Sequence, residues 1–212
     1  MSDFHQNGVI STLHNLSNRS LDEIEQELRE YSKDAPIELI LPSLYSELEG
    51  AALKNIVSCL SNVKYLNHII IGLDKADKSE FVKAKKFFSN LNQPHSVIWN
   101  DSPKMKKLNS DFKNLGIAPN QSGKGKNVWY CLGYTYSRNE AGSVALHDCD
   151  ITTYNRELLA RLVYPVSNPH FNYEFCKGYY PRIREGTLSG RVTRLLAVSY
   201  THLTLPTTSG VV

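Results

Sequence analysis

Much of what would mark a familiar class is missing from this chain. No apolar run reaches the ~18 residues that a membrane-spanning helix needs, so a transmembrane enzyme is not expected. The opening MSDFHQNGVISTLH has no basic stretch followed by an apolar block, which argues against a secretory signal. The four cysteines, Cys59, Cys131, Cys149 and Cys176, are widely spaced and form no CxxC pair. They read as reduced, mostly buried thiols of a cytosolic protein, not as a disulfide framework or zinc site. Also absent are GxSxG, HExxH, a GxGxxG after the first strand, and the GxxxxGK[ST] of a Walker A loop. No RNP-like pattern accompanies the aromatic residues, so a nucleic-acid partner is not expected. Residues 195–212 contain no Asp, Glu, Lys or Arg at all.

What is present suits one domain with a sizeable core: 212 residues, 41% hydrophobic and 21% charged. The net charge of +3 hides an asymmetry. Residues 1–60 carry a balance of −6, and residues 61–194 one of +9. A basic body fits an anionic small molecule, although lysine-rich solvated helix faces produce the same arithmetic.

Helices and strands alternate along the chain. Ser20-Leu21-Asp22-Glu23 has the form of a capping box, and Leu21, Ile24, Leu28 and Tyr31 continue at helical spacing until Pro36. Ile37–Leu41 reads as a strand stopped by Pro42. A helix with Leu48, Ala52, Ile56 and Leu60 on one face follows. Ile69–Leu73 is the next strand, and Asp77 to Glu80 cap a helix through Phe81, Ala84, Phe88 and Leu91. Ser96–Trp99 is a third strand, Lys104–Leu115 a helix, Asn120–Lys126 a Gly/Ser loop, and Val128–Tyr136 a further helix. Ser143–His147 is a fourth strand, followed by a helix over Tyr154–Val163. This alternation predicts an α/β fold, a mostly parallel sheet flanked by helices. Ligands of such folds sit beyond the carboxyl ends of the strands. Chemistry is therefore sought at 42–47, 73–77, 99–101 and 148–150, which includes Asp74.

Asp148-Cys149-Asp150 follows the fourth strand directly. In extended backbone both carboxylates point one way and Cys149 the other. Two oxygen ligands at a strand end suit Mg²⁺ or Mn²⁺, which take their remaining ligands from phosphate oxygens and water; a polar turn with two solvated aspartates is the plainer alternative. His147 and Cys149 have no partner pair at zinc spacing. Gly123-Lys124-Gly125-Lys126 would let the backbone approach a phosphate closely while Lys124 supplies a point charge, or it is a loop of solvated lysines. Gly190-Arg191-Val192-Thr193-Arg194 combines a glycine, a guanidinium and a hydroxyl, which fits bidentate capture of a carboxylate or phosphate; a helix N-terminus with exposed arginines accounts for it equally.

Taken in order, LPSLYSELEG, GKGKNVWY, ALHDCDI, EFCKGYY and GRVTRLL resemble the glucosyl-3-phosphoglycerate synthase family over roughly residues 37–197. That family comprises retaining GT-A glycosyltransferases. The resemblance implies a GT-A (Rossmann-like) fold and a nucleotide-sugar donor such as UDP-glucose or a GDP-sugar. It further implies Mg²⁺ or Mn²⁺, and 3-phosphoglycerate or a similar small anion as acceptor. Pro42, Leu44 and Glu47 match the loop that holds the base and ribose, with one residue more before Glu47 than the better-known members have. Lys124 matches the donor-site lysine, and Asp148 and Asp150 match the DxD, with Asp150 as the direct metal ligand. Asp74 joins the donor set as the acid at the end of the second strand. Gly190, Arg191 and Thr193 match the acceptor-binding backbone, guanidinium and hydroxyl. Catalysis is then expected to rest on Asp150 and Lys124, by same-face substitution assisted by the leaving phosphate. A homodimer is one assembly the resemblance allows. A nucleotide-sugar pyrophosphorylase and a non-catalytic nucleotide-sugar-binding fragment are the alternatives, the former lacking its Gly-rich basic loop after the first strand.

The resemblance and the charge stop together near residue 197. From Val198 the chain reads VSYTHLTLPTTSGVV, which has no helical period and is broken by Pro206. It reads as translated sequencing adapter, so the expected organisation is a helical extension over 1–36, a GT-A domain over 37–197 lacking its C-terminal part, and a non-native tail over 198–212.

Overall fold

The structure is a computed structural model that describes residues 19–119, 122–171 and 173–178, with the backbone of 182–184 and 187–189. The chain divides at Glu174 into a larger and a smaller unit. In the smaller unit, β5 (Arg182–Arg184) and β6 (Thr187–Ser189) pair antiparallel, Ile183 opposite Leu188.

The larger unit opens with α1 (Leu21–Asp34). Its capping box closes as the sequence predicts: Glu23 N–H donates to Ser20 Oγ at 3.2 Å, and Ser20 N–H to Glu23 Oε2 at 3.0 Å. Next come β1 (Ile37–Leu44), a 3₁₀ helix (Tyr45–Glu49) and α2 (Ala51–Leu60). β2 (Leu66–Asp74), α3 (Lys78–Phe88) and β3 (His95–Trp99) follow. α4 (Pro103–Asn114) and α5 (Lys124–Arg138) then lead to β4 (Ser143–Leu146) and α6 (Arg156–Ser167). The four strands form one parallel sheet in the order β3-β2-β1-β4, so the α/β expectation holds.

β1 lies between two neighbours and is covered on both faces, which explains its unbroken apolar run: Ile37, Leu39, Ile40 and Leu41 are fully buried. Leu39, Leu41, Ile69 and Ile71 join one core with Leu53 and Ile56 of α2, Phe88 of α3 and Leu159 of α6. Ile40 and Ile70 face the other way, against Cys131 of α5.

The structure corrects several element boundaries: the predicted helix carrying Leu48, Ala52, Ile56 and Leu60 is split at Gly50, with Leu48 in the 3₁₀ helix, and the helix expected from Tyr154 begins at Arg156. Two further boundaries bear on the site. β1 does not stop at Pro42 but runs on to Leu44, with Pro42 opposite Gly72 of β2. Ile40 O accepts from His147 N, so Pro42, two residues on, also turns its nitrogen toward β4. The β1–β4 register ends at Ile40↔Leu146, and the missing N–H costs no ladder bond. The predicted loop over Asn120–Lys126 gives way at Lys124, where α5 already begins. Gly123 permits this at φ 121°, and its carbonyl accepts the first helical bonds from Lys126 and Asn127.

α1 packs on α6 and is clamped to it by polar contacts. The Arg19 guanidinium forks the Glu27 carboxylate (2.9 and 2.5 Å) and donates to Tyr164 Oη at 2.6 Å, while the Tyr164 and Tyr31 hydroxyls also donate to Glu27. These bonds, Arg19 first, hold the Glu27 carboxyl down at about 2. The folded value lies below the unfolded one, so the folded state binds fewer protons between them. The contribution is complete above about pH 4.5 and is lost as pH falls toward 2. The pair is about one-third exposed, which limits its worth to about 1 kcal/mol. Glu27→Gln is therefore expected to lower the melting temperature by about 2–4 °C at pH 7 and to match the parent near pH 2. An equal offset at both pH values in thermal melts would refute the charge-based account.

Candidate functional site

The sheet order sets the place of the site. From β1 the chain steps outward through β2 to β3, then returns past β1 to lay down β4 on its other side. The direction of winding thus reverses between β1 and β4, and the carboxyl ends of these two strands open a crevice of the kind that holds ligands in such sheets. Leu44 and Glu47 stand at the end of β1, and Asp148 and Asp150 lie just past β4.

Burial alternates along the motif, although the backbone turns at Cys149 and Asp150 instead of staying extended. His147 and Cys149 are buried, Asp148 is half-exposed and Asp150 is exposed. Burial pushes the Cys149 thiol well up and the His147 imidazole down to about 4. The two soft-metal donors are therefore enclosed, with His147 against the Tyr154 ring at 5.3 Å. Two outward carboxylates remain, and among the described residues no third His, Cys, Asp or Glu completes a metal cluster. Such a donor set fits a hard divalent cation that draws its other oxygen ligands from a phosphorylated ligand and from water.

Lys124 reaches this pair from α5, and its ammonium makes an ion pair with Asp148 Oδ1. The first turn of α5 has no acidic residue and no side-chain cap, and it carries Lys126 as well. The N–H groups of Lys124 and Gly125, without a partner among the described residues, and the Lys124 ammonium thus lie where an anion is best accommodated, whereas the Lys126 ammonium lies over the Tyr130 ring.

Close packing holds α5 there. Gly72 lies inside the apolar run of β2, and a Cβ on it would meet Asn127 Oδ1 at 1.7 Å and Cys131 Sγ at 2.6 Å. Asn127 of α5 is buried and donates through Nδ2 to Gly72 O at 2.8 Å. Sequence reasoning missed Asn127, which falls between the loop expected to end at Lys126 and the helix expected to open at Val128. The available signal was Gly72, because a glycine within a β-branched strand marks a close backbone approach.

Asp74 ends β2, and its Oδ1 accepts from Asn100 Nδ2 at 2.8 Å. Burial raises its carboxyl above the usual range, against the opposing effect of the Asn100 bond. Asn100 lies within the 99–101 segment where chemistry is sought, although the sequence assigns it no role of its own. Pro42 is buried within β1. Glu47 Oε2 accepts from Leu44 N at 2.9 Å and from Ser43 Oγ at 3.1 Å, so this carboxylate caps the 3₁₀ helix at the crevice edge. Gly190, Arg191 and Thr193 lie outside the described residues, as does the segment 198–212. A cavity of about 340 Å³ lies elsewhere, between α1, α2 and α6, bounded by Leu21, Cys59, Asn62 and Arg156. No described helix is long and apolar enough to cross a membrane.

No protein-family model matches the chain. It is 49% identical over 195 residues to the glucosyl-3-phosphoglycerate synthase of Persephonella marina, covering 92% of this chain and 48% of that protein. It is 36% identical over 196 residues to the protein of that name from Methanococcoides burtonii, covering 91% of this chain and again 48% of the relative. Among solved structures, glucosyl-3-phosphoglycerate synthase from Mycobacterium tuberculosis, in complex with Mn²⁺, UDP and glucosyl-3-phosphoglycerate, aligns over 78% of this chain and 46% of its own, with TM-score 0.46 and 16% identity. The chain is thus similar over nearly all its length to proteins named glucosyl-3-phosphoglycerate synthase, and it spans about half the length of the curated relatives it matches.

Proposed function

We propose that the full-length protein containing this chain transfers a hexose from a nucleotide-sugar donor to 3-phosphoglycerate or a close analogue, and that the described region is its donor-binding part. The observation that carries this reading is the ion pair of Lys124 with Asp148, two residues before Asp150 and just past β4, in a chain 49% identical to a glucosyl-3-phosphoglycerate synthase.

In this reading Asp148 and Asp150 hold Mg²⁺ or Mn²⁺, which when bound offsets negative charge on the departing nucleoside diphosphate. The free N–H groups of α5 and the ammonium of Lys124 face the same diphosphate and hold it in place. Asp74 and Glu47, at the ends of β2 and β1, offer carboxylate oxygens to the N–H and hydroxyl groups of the base and ribose. Gly190, Arg191 and Thr193 are proposed to take the carboxylate and phosphate of the acceptor, which positions its hydroxyl against the anomeric carbon.

The test is product analysis on the full-length protein with UDP-glucose and GDP-mannose, each with 3-phosphoglycerate and Mn²⁺ or Mg²⁺. Mass spectrometry is expected to find the hexosyl-3-phosphoglycerate with one donor, and chelation is expected to abolish it. Pyrophosphate-dependent cleavage of the nucleotide sugar to sugar 1-phosphate and a nucleoside triphosphate would instead identify a pyrophosphorylase.

A further inference from the structure

We infer that Lys124 serves as a stand-in cation for Asp148, and that an arriving diphosphate draws its ammonium away, leaving the carboxylate open to the divalent cation. The inference rests on the donor-site reading above and adds a coupling between the two ligands.

Three features support it. Lys124 is the first residue of α5, where the helix dipole disfavours a cation, and the first turn contains no acid to compensate. Its ammonium finds that compensation on Asp148 Oδ1, whereas Asp150 accepts no hydrogen bond among the described residues. The carboxylate oxygen that Lys124 occupies is one that a Mg²⁺ or Mn²⁺ ion would otherwise take, and two cations in contact with one carboxylate repel each other.

The pair is also built to part. The lysine side chain is 53% exposed and the aspartate 42%, so the bond is screened and weak. A diphosphate offers Lys124 stronger, charge-assisted acceptors beside the free N–H groups of α5. The flexible stem lets the ammonium change partner without movement of the helix.

Binding to the full-length protein tests the coupling without any turnover. Free Mn²⁺ is followed by electron paramagnetic resonance during titration, with and without UDP, for the parent, Lys124→Met and Lys124→Arg. Lys124→Met is expected to bind Mn²⁺ alone about threefold to fivefold more tightly, because the competing cation is gone. UDP is expected to tighten Mn²⁺ binding at least threefold less in Lys124→Met than in the parent, and Lys124→Arg is expected to follow the parent. Unchanged or weaker Mn²⁺ binding by Lys124→Met, in a protein that binds both Mn²⁺ and UDP, overturns the stand-in role alone. A parent that binds neither ligand overturns the donor-site reading, and the stand-in role with it.

Discussion

Asp148→Ala and Asp150→Ala in the full-length protein are each expected to lower kcat/KM about 10³-fold, roughly 4 kcal/mol of transition-state stabilisation. Each change removes one of the two outward carboxylates at the end of β4, and no third acidic, His or Cys side chain among the described residues stands by to replace it. The two variants should differ in binding. Asp150→Ala leaves the Lys124–Asp148 pair intact and should weaken Mn²⁺ binding directly. Asp148→Ala should weaken Mn²⁺ binding too, but it also frees Lys124 and should therefore bind UDP alone more tightly than the parent. Both positions are solvent-facing, and the melting temperature should stay within about 2 °C of the parent. Turnover in Asp150→Ala equal to the parent's would refute the metal assignment, whereas a fall in melting temperature would show that the motif serves the fold.

The outward carboxylates were legible because a short-range rule governs them. Period two predicts Cys149 in and its neighbours out, and burial follows that pattern even though the strand ends at Leu146 and the backbone turns at Cys149 and Asp150. The starts of α1 and α3 were legible for the same reason: Ser20 with Glu23, and Asp77 with Glu80, close their caps within one turn of helix. Where the reading failed, a partner distant in sequence decided the outcome. Pro42 would end a strand whose neighbours continued on both sides; here β4 had already stopped, and only the register shows that. Gly123 looks like loop chemistry, yet its positive φ starts a helix, because Asn127 and Cys131 are drawn down onto β2. The meeting of Lys124 with Asp148 depends on that same packing. Neither residue's neighbours in the chain announce it; the resemblance to glucosyl-3-phosphoglycerate synthases put both in the donor site without pairing them.

The packing of α5 on β2 makes Gly72 the most sensitive position for the fold and the site together. Gly72→Ala would place a methyl group 1.7 Å from Asn127 Oδ1 and 2.6 Å from Cys131 Sγ, both on a helix that cannot yield one atom at a time. Asn127 is buried and bound to the Gly72 carbonyl itself, so turning it aside leaves that carbonyl unpaired. The cost expected is about 3 kcal/mol, which corresponds to a fall in melting temperature of about 6–12 °C for a chain of this size. The displaced helix would also carry Lys124 away from Asp148 and weaken UDP binding even in the molecules that remain folded. Gly133, on the outer side of the same helix, supplies the opposite sign. A Cβ there meets nothing within 4 Å, so Gly133→Ala should gain helix propensity and stabilise by about 0.5–1 kcal/mol. Two glycine-to-alanine changes in contact with one helix are therefore expected to move the melting temperature in opposite directions. A Gly72→Ala protein that melts within 2 °C of the parent would mean that α5 does not lie this close to β2, and the position of Lys124 over the crevice would fall with that result.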